Sequence, residues 1–167
     1  MRITQKVMID DAMVQIAHLQ AKKLNTSVEA ALGIEIFRNY LIKLPELKHI
    51  YYEDRFPSYP GKFGFVAKFE DRDEVRITTA TYKSVHCNKV MIQEKNFDSS
   101  FWDYYIGIKI VDGYGEIWGY AKPDDFQLKI NGFDETEQAT YWVEFKSLRS
   151  ISELISKMAT RKKEGVV

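Results

Sequence analysis

The chain of 167 residues holds one cysteine, three histidines, no surplus of either charge and no long apolar run, and each shortage removes a class of explanation. Cys87 alone cannot close an internal disulfide, and a single thiol suits a reducing cytoplasm. His18, His49 and His86 are scattered, and Cys87 beside His86 has no matching pair, so the spaced ligands of a zinc site are missing. Lys plus Arg and Asp plus Glu both number 24, so the net charge is zero. A chain built mainly to coat nucleic acid is usually basic, so any such contact would be local. No stretch approaches the ~18 apolar residues of a membrane span. Residues 1–24 scatter Arg2, Lys6, Asp10, Asp11 and His18 among short apolar steps, which is no signal peptide. Gly61-Lys62-Phe63-Gly64 lacks the spacing of a phosphate-binding loop, and no Gly-flanked serine elbow occurs. Repeats and low-complexity segments are also missing.

What is present suits one globular domain: 45% apolar residues, 14% aromatics and enough length to bury a core. Ile9, Met13, Ile16, Ala17 and Leu24 recur at helical spacing and predict a first amphipathic helix over 9–24. Thr26-Ser27-Val28-Glu29 fits a capping box that opens a second helix, which Pro45 stops. Its wide stripe of Ala30, Ile34, Phe37, Leu41 and Leu44 predicts a central helix, with Glu35 off the stripe. From residue 48 the pattern turns to strands, around 49–52, 63–69, 74–82, 89–93, 102–111, 116–121 and 140–145. Asp112-Gly113-Tyr114-Gly115 predicts a hairpin turn, and Pro123 the first turn of a short helix. Residues 151–158 predict a closing helix. The expected fold is α+β: a central mixed β-sheet with two N-terminal helices and a C-terminal helix. Residues 1–25 read as an accessory helix, 26–158 as the core and 159–167 as a flexible tail.

Three sets of residues could carry chemistry. Cys87 with a histidine as base is one, although a lone cysteine at a strand edge more often packs as a small apolar group. The strand aromatics, among them Trp102, Trp118, Tyr141 and Trp142, could stack bases or sugars, although strand aromatics mostly pack across a sheet. The third is Glu74-Val75-Arg76. Residues two apart share a strand face, so Glu74 and Arg76 stand together and Val75 and Ile77 point the other way. Phosphodiester hydrolysis with Mg²⁺ needs converging carboxylates and a nearby cation, which this face, with Glu35, could supply. The plain alternative is an exposed ion pair of small energetic worth.

The order of segments resembles the PD-(D/E)XK, restriction-endonuclease-like superfamily. The likeness rests on a helix with Glu35, a hairpin strand with Glu74-Val75-Arg76, a long apolar strand and the Trp118-Gly119-Tyr120-Ala121 strand end. Thr140-Tyr141-Trp142-Val143 followed by Ser147-Leu148-Arg149 resembles the close of its small phage and bacterial members. The resemblance implies a Mg²⁺-dependent nuclease acting on DNA, with Glu74 as the metal-binding acid, Arg76 in place of the motif lysine and Glu35 as the helix acid. The first motif acid is missing ahead of Glu74; Asp54 fills that role if the Pro57–Pro60 turn folds it back. Arg76 cannot lose a proton as a lysine can, so it would hold a phosphate and not act as base. A rival placement of the same letters is Pro123-Asp124 with Glu144-Phe145-Lys146.

A second resemblance is to an uncharacterised family widespread in cyanobacteria. It rests on Asp103-Tyr104-Tyr105-Ile106-Gly107, Trp118-Gly119-Tyr120, Gly132-Phe133-Asp134 and Thr140-Tyr141. It implies no activity and leaves a cytoplasmic adaptor that binds a protein partner or a second copy of itself. Two expectations therefore stand: a nuclease with an active or silent site, and a non-catalytic interaction module.

Overall fold

A computed structural model of the chain describes residues 4–53, 63–70, 73–83, 86–94, 97, 100–130 and 139–164. It is a mixed α+β fold. Strand β1 (Gln5–Met8) leads into helices α1 (Asp11–Leu24) and α2 (Val28–Ile42). Strands β2 (Tyr51–Glu53), β3 (Phe65–Lys68), β4 (Glu74–Tyr82), β5 (Lys89–Gln93), β6 (Tyr104–Val111) and β7 (Tyr114–Ala121) follow. Strands β8 (Gln127–Ile130) and β9 (Ala139–Glu144) precede α3 (Ile151–Glu164).

The strands form two sheets where the sequence predicts one. Six lie in the order β1-β7-β6-β4-β3-β2, antiparallel except for the parallel pair β4–β6. The other three lie in the order β5-β9-β8, all antiparallel. The split escapes sequence patterning because β5 finds its partner in β9, far along the chain. The six-stranded sheet turns Phe65, Ala67, Val75, Ile77, Ile106 and Ile108 toward the helices in one apolar core. On its other face Ala80, Trp118 and Ala121 meet Val90, Val143, Phe145 and Leu148 from the smaller sheet and the turn after it. Gly107 permits this second contact, since a β-carbon there would stand 2.6 Å from Leu148 Cδ1. The order of layers is helices, large sheet, small sheet.

Local chemistry explains most of the element ends. Asp10 caps α1 by accepting from the Met13 amide at 2.9 Å, and Asn25 ends it in the left-handed region, at φ 52°. The expected box at Thr26 is displaced by one residue: Ser27 Oγ accepts from the Ala30 amide at 3.1 Å and α2 starts at Val28. Every residue from Ala31 to Phe37 is buried, so α2 is as central as its apolar stripe predicts. Phe37 stacks near Tyr40 and Phe65, at centroid distances of 6.2 and 6.3 Å. Asp112 and Gly113 both take positive φ, 50° and 80°, as a two-residue type I′ hairpin turn requires.

Three expectations need correction. β1 joins the large sheet beside β7, although its four residues bury only Val7 and give almost no alternating signal. The short helix at Pro123 is a single 3-10 turn, Pro123–Asp125, and β8 follows at once. Helix α3 runs on to Glu164, past the expected end of the closing helix at Met158. No helix among the described residues is long and apolar enough to cross a membrane.

Candidate functional site

Glu74 and Arg76 lie on the sheet face turned away from the helices, because Val75 and Ile77 between and beside them enter the helix-side core. There they belong to a row of alternating charge. Glu53 Oε2 stands 2.8 Å from Lys68 Nζ, Lys68 lies opposite Glu74 in register, and Glu74 Oε1 is 3.6 Å from Arg76 Nη2. The Arg76 guanidinium covers the Phe101 ring at 4.5 Å. Each of these four charged side chains is about a third exposed. Pairs in such surroundings are worth roughly 0–1 kcal/mol each.

A carboxylate the sequence reading missed joins this row. Asp103 Oδ2 accepts from the Arg76 amide at 2.8 Å, while the Asp103 amide donates to the Arg76 carbonyl at 2.9 Å. The parallel pairing of β4 with β6, Ile77 opposite Tyr104, brings it there. No short-range motif could signal that register.

Glu35 is not brought to this row. It is 5% exposed on α2, with Oε1 3.4 Å from Arg38 Nη1, and its backbone carbonyl accepts from Asn39 Nδ2 at 2.8 Å. Helix α2 packs on the face formed by Val75, Ile77, Thr79 and Thr81, so the sheet lies between Glu35 and Glu74. Asp54 lies outside the described residues. In the rival placement, Glu144 pairs with Lys146 at 3.2 Å. Near it the acid that engages the chain is Asp125 and not Asp124: Asp125 receives Arg149 Nε and Nη2 at 2.8 and 2.9 Å. Among the described residues no group of three or more His, Cys, Asp or Glu side chains gathers to hold a metal ion. The acids near Arg76 are engaged by a guanidinium and a backbone amide, so this donor set fits Mg²⁺ poorly.

Concave surface lies elsewhere. A groove of about 270 Å³ follows β4 from Thr78 to Tyr82, facing Met91–Gln93 of β5, with Ala30 and Trp102 also in its lining. β3 pairs only with Glu74–Ile77, so beyond Ile77 the outer edge of β4 has no strand partner among the described residues. Arg76 turns its amide and carbonyl toward Asp103 on the β6 side. By alternation Thr79 and Thr81 turn theirs outward, into the groove. Their hydroxyls are buried and make no hydrogen bond among the described residues. Tyr82 ties the two strands together, since its hydroxyl accepts from the Met91 amide at 2.8 Å and donates to the Met91 carbonyl at 3.1 Å. Burial, above all, pushes its phenol up to about 12. A second recess, of about 430 Å³, lies on the outer side of the small sheet around Trp142 and Arg149.

Compared with known proteins, the chain matches no family model, no curated protein and no solved structure.

Proposed function

We propose that the chain is a non-catalytic interaction module whose partner is a protein that lays an extended segment along the free half of β4. One observation carries the reading. Thr79 and Thr81 present outward backbone groups in a groove walled by a second strand edge, the arrangement by which an added strand binds through main-chain hydrogen bonds. The side-chain environment there is neutral and partly apolar, so main-chain pairing would set affinity and the Met91–Gln93 wall would set preference. The distribution of acids also favours this reading: the sheet separates Glu35 from Glu74, and Arg76 occupies both its nearest carboxylates.

The test is selection of extended peptides from a random displayed library, followed by measurement on Thr81→Pro. Proline at this position removes one outward donor and leaves the β6 ladder intact. One lost main-chain bond amounts to about 1 kcal/mol, so selected peptides should weaken roughly fivefold. Hydrogen exchange at the Thr79 and Thr81 amides should slow in the complex. Peptides that bind Thr81→Pro as tightly as the parent chain would refute the reading.

A second reading rests on Asp103. It supplies a carboxylate at Arg76 from the start of β6, although the restriction-endonuclease-like pattern places its first acid ahead of Glu74 in the chain, and it keeps a Mg²⁺-dependent nuclease acting on DNA as the rival proposal. Plasmid cleavage with Mg²⁺ or Mn²⁺ that disappears in both Glu74→Ala and Asp103→Asn would favour it over the interaction module.

A further inference from the structure

We propose that the recess on the outer face of the three-stranded sheet is a saccharide-binding site, shaped to hold one neutral pyranose ring against Trp142. This site is independent of the β4 groove. Its volume of about 430 Å³ falls in the usual range for small-molecule sites, roughly 300–1,000 Å³.

The floor comes from strand register. Gln127 of β8 lies directly opposite Trp142 of β9, and Glu144, two residues further along β9, shares the same face. Lys89 of β5 lies opposite Glu144, and its ammonium sits 4.5 Å from the Trp142 ring. Lys89 lies over one face of the indole and is not among the recess walls. The far wall is Arg149, clasping Asp125 through Nε and Nη2 at 2.8 and 2.9 Å. That fork is rigid. The Lys122 amide donates to Asp125 Oδ2 at 2.9 Å, and Arg149 is pinned to the large sheet by paired backbone bonds with Tyr120, at 2.8 and 3.0 Å. Ser147 completes the rim.

A pyranose presents an apolar C–H face and a belt of hydroxyls, each both donor and acceptor. An aromatic floor with a mixed planar rim answers both halves of that description. The Gln127 amide and Ser147 hydroxyl offer donors and acceptors and make no side-chain hydrogen bond among the described residues. The Arg149 fork leaves Nη1 outside its two bonds to Asp125. Charge argues against ionic occupants. Asp125 is matched by Arg149 among the walls and Glu144 by Lys146 outside them, so an anion would meet two carboxylates and a cation would find both already paired. Arg149 first, then the Lys122 amide, keeps the Asp125 carboxyl below its ordinary range, so Asp125 serves the recess as a fixed acceptor and not as a proton donor.

The experiment is affinity electrophoresis of the full chain through gels containing soluble β-glucan, xylan, mannan or starch, with indole fluorescence titration by the matching methyl pyranosides. At least one polysaccharide should retard the chain. Trp142→Ala should weaken that binding about tenfold or more, the scale on which a stacking aromatic counts. Gln127→Ala should weaken it by a smaller factor, and Thr81→Pro should leave it unchanged. Gln127→Ala stands on solvent-facing sheet and serves as the second reporter should Trp142→Ala fold poorly. Absence of retardation by all four polysaccharides, or equal retardation of the parent chain, Trp142→Ala and Gln127→Ala, would overturn the proposal. Displacement by inorganic phosphate and not by any pyranoside would also overturn it.

Discussion

The two faces of the six-stranded sheet obey different rules, and β4 belongs to both. Toward the helices it offers Val75 and Ile77, which join a continuous apolar core with Phe65, Ile106, Ile108 and the whole middle of α2. Toward the other side its first half is partly covered, with Phe101 against Arg76, and Glu74 and Arg76, about a third exposed, continue the charge row that begins at Glu53 and Lys68. Its second half, through Ala80 and Tyr82, packs on the small sheet. One strand therefore carries three environments in nine residues. A Glu-x-Arg pattern is what a half-exposed sheet face calls for, whether or not chemistry happens there. The covered face shows where removing atoms is expensive, and the open face shows where it is cheap.

That contrast can be broken most forcefully at Phe37. Its side chain is fully buried between sheet and helices, and truncation to Ala should cost about 3–5 kcal/mol and lower Tm by roughly 10 °C or more. A loss below 1 kcal/mol in chemical denaturation would mean that the helix layer is loosely seated. Next is Gly33, where an added β-carbon would collide with Thr81 Oγ1 and lie 3.0 Å from Thr79 Oγ1. Helix propensity favours Ala over Gly by about 0.5–1 kcal/mol. The collision should reverse that sign and leave Gly33→Ala destabilised by about 1–3 kcal/mol. Thr81→Ala should recover part of the loss, which a double-mutant cycle reads directly.

Tyr82 probes the seam between the two sheets. Buried, the folded chain keeps its proton to about pH 12, whereas an unfolded chain releases it near 10.0. The folded state therefore holds more protons in that interval, so stability is intact below pH 10 and drains away as pH rises toward 12. The drain should amount to about 3 kcal/mol, flattened in Tyr82→Phe, with tyrosinate absorbance as the direct check. The smallest effect belongs to the open face. Glu74→Gln or Arg76→Ala should shift stability by less than about 1 kcal/mol, and less again in high salt. A loss above 2 kcal/mol would show that the row is buried by something and is no solvated surface.

Much of the architecture was legible because it is local. The Asp112-Gly113 turn names its own hairpin, 89–93 forms a strand with the expected bounds, and the greasy stripe of α2 foretells its central place. What escaped depends on partners distant in sequence. The assignment of β5 and β9 to a second sheet, the edge strand β1 and the arrival of Asp103 at Arg76 all follow from register between far segments. For the candidate site, adjacency of Glu74 and Arg76 could be read from the period of a strand. The layer between Glu35 and Glu74 could not, since only tertiary packing decides which face of a sheet a helix covers.

Residues 5–8 pair with residues 114–117. As the chain leaves the ribosome, β1 must wait until β7 has been made before it can close the large sheet. β5 must likewise wait for β9. Partially synthesised chains therefore carry open strand edges in both sheets until β7 and β9 have been made. Such long-range closure makes for slow folding and exposes nascent chains to mispairing with one another.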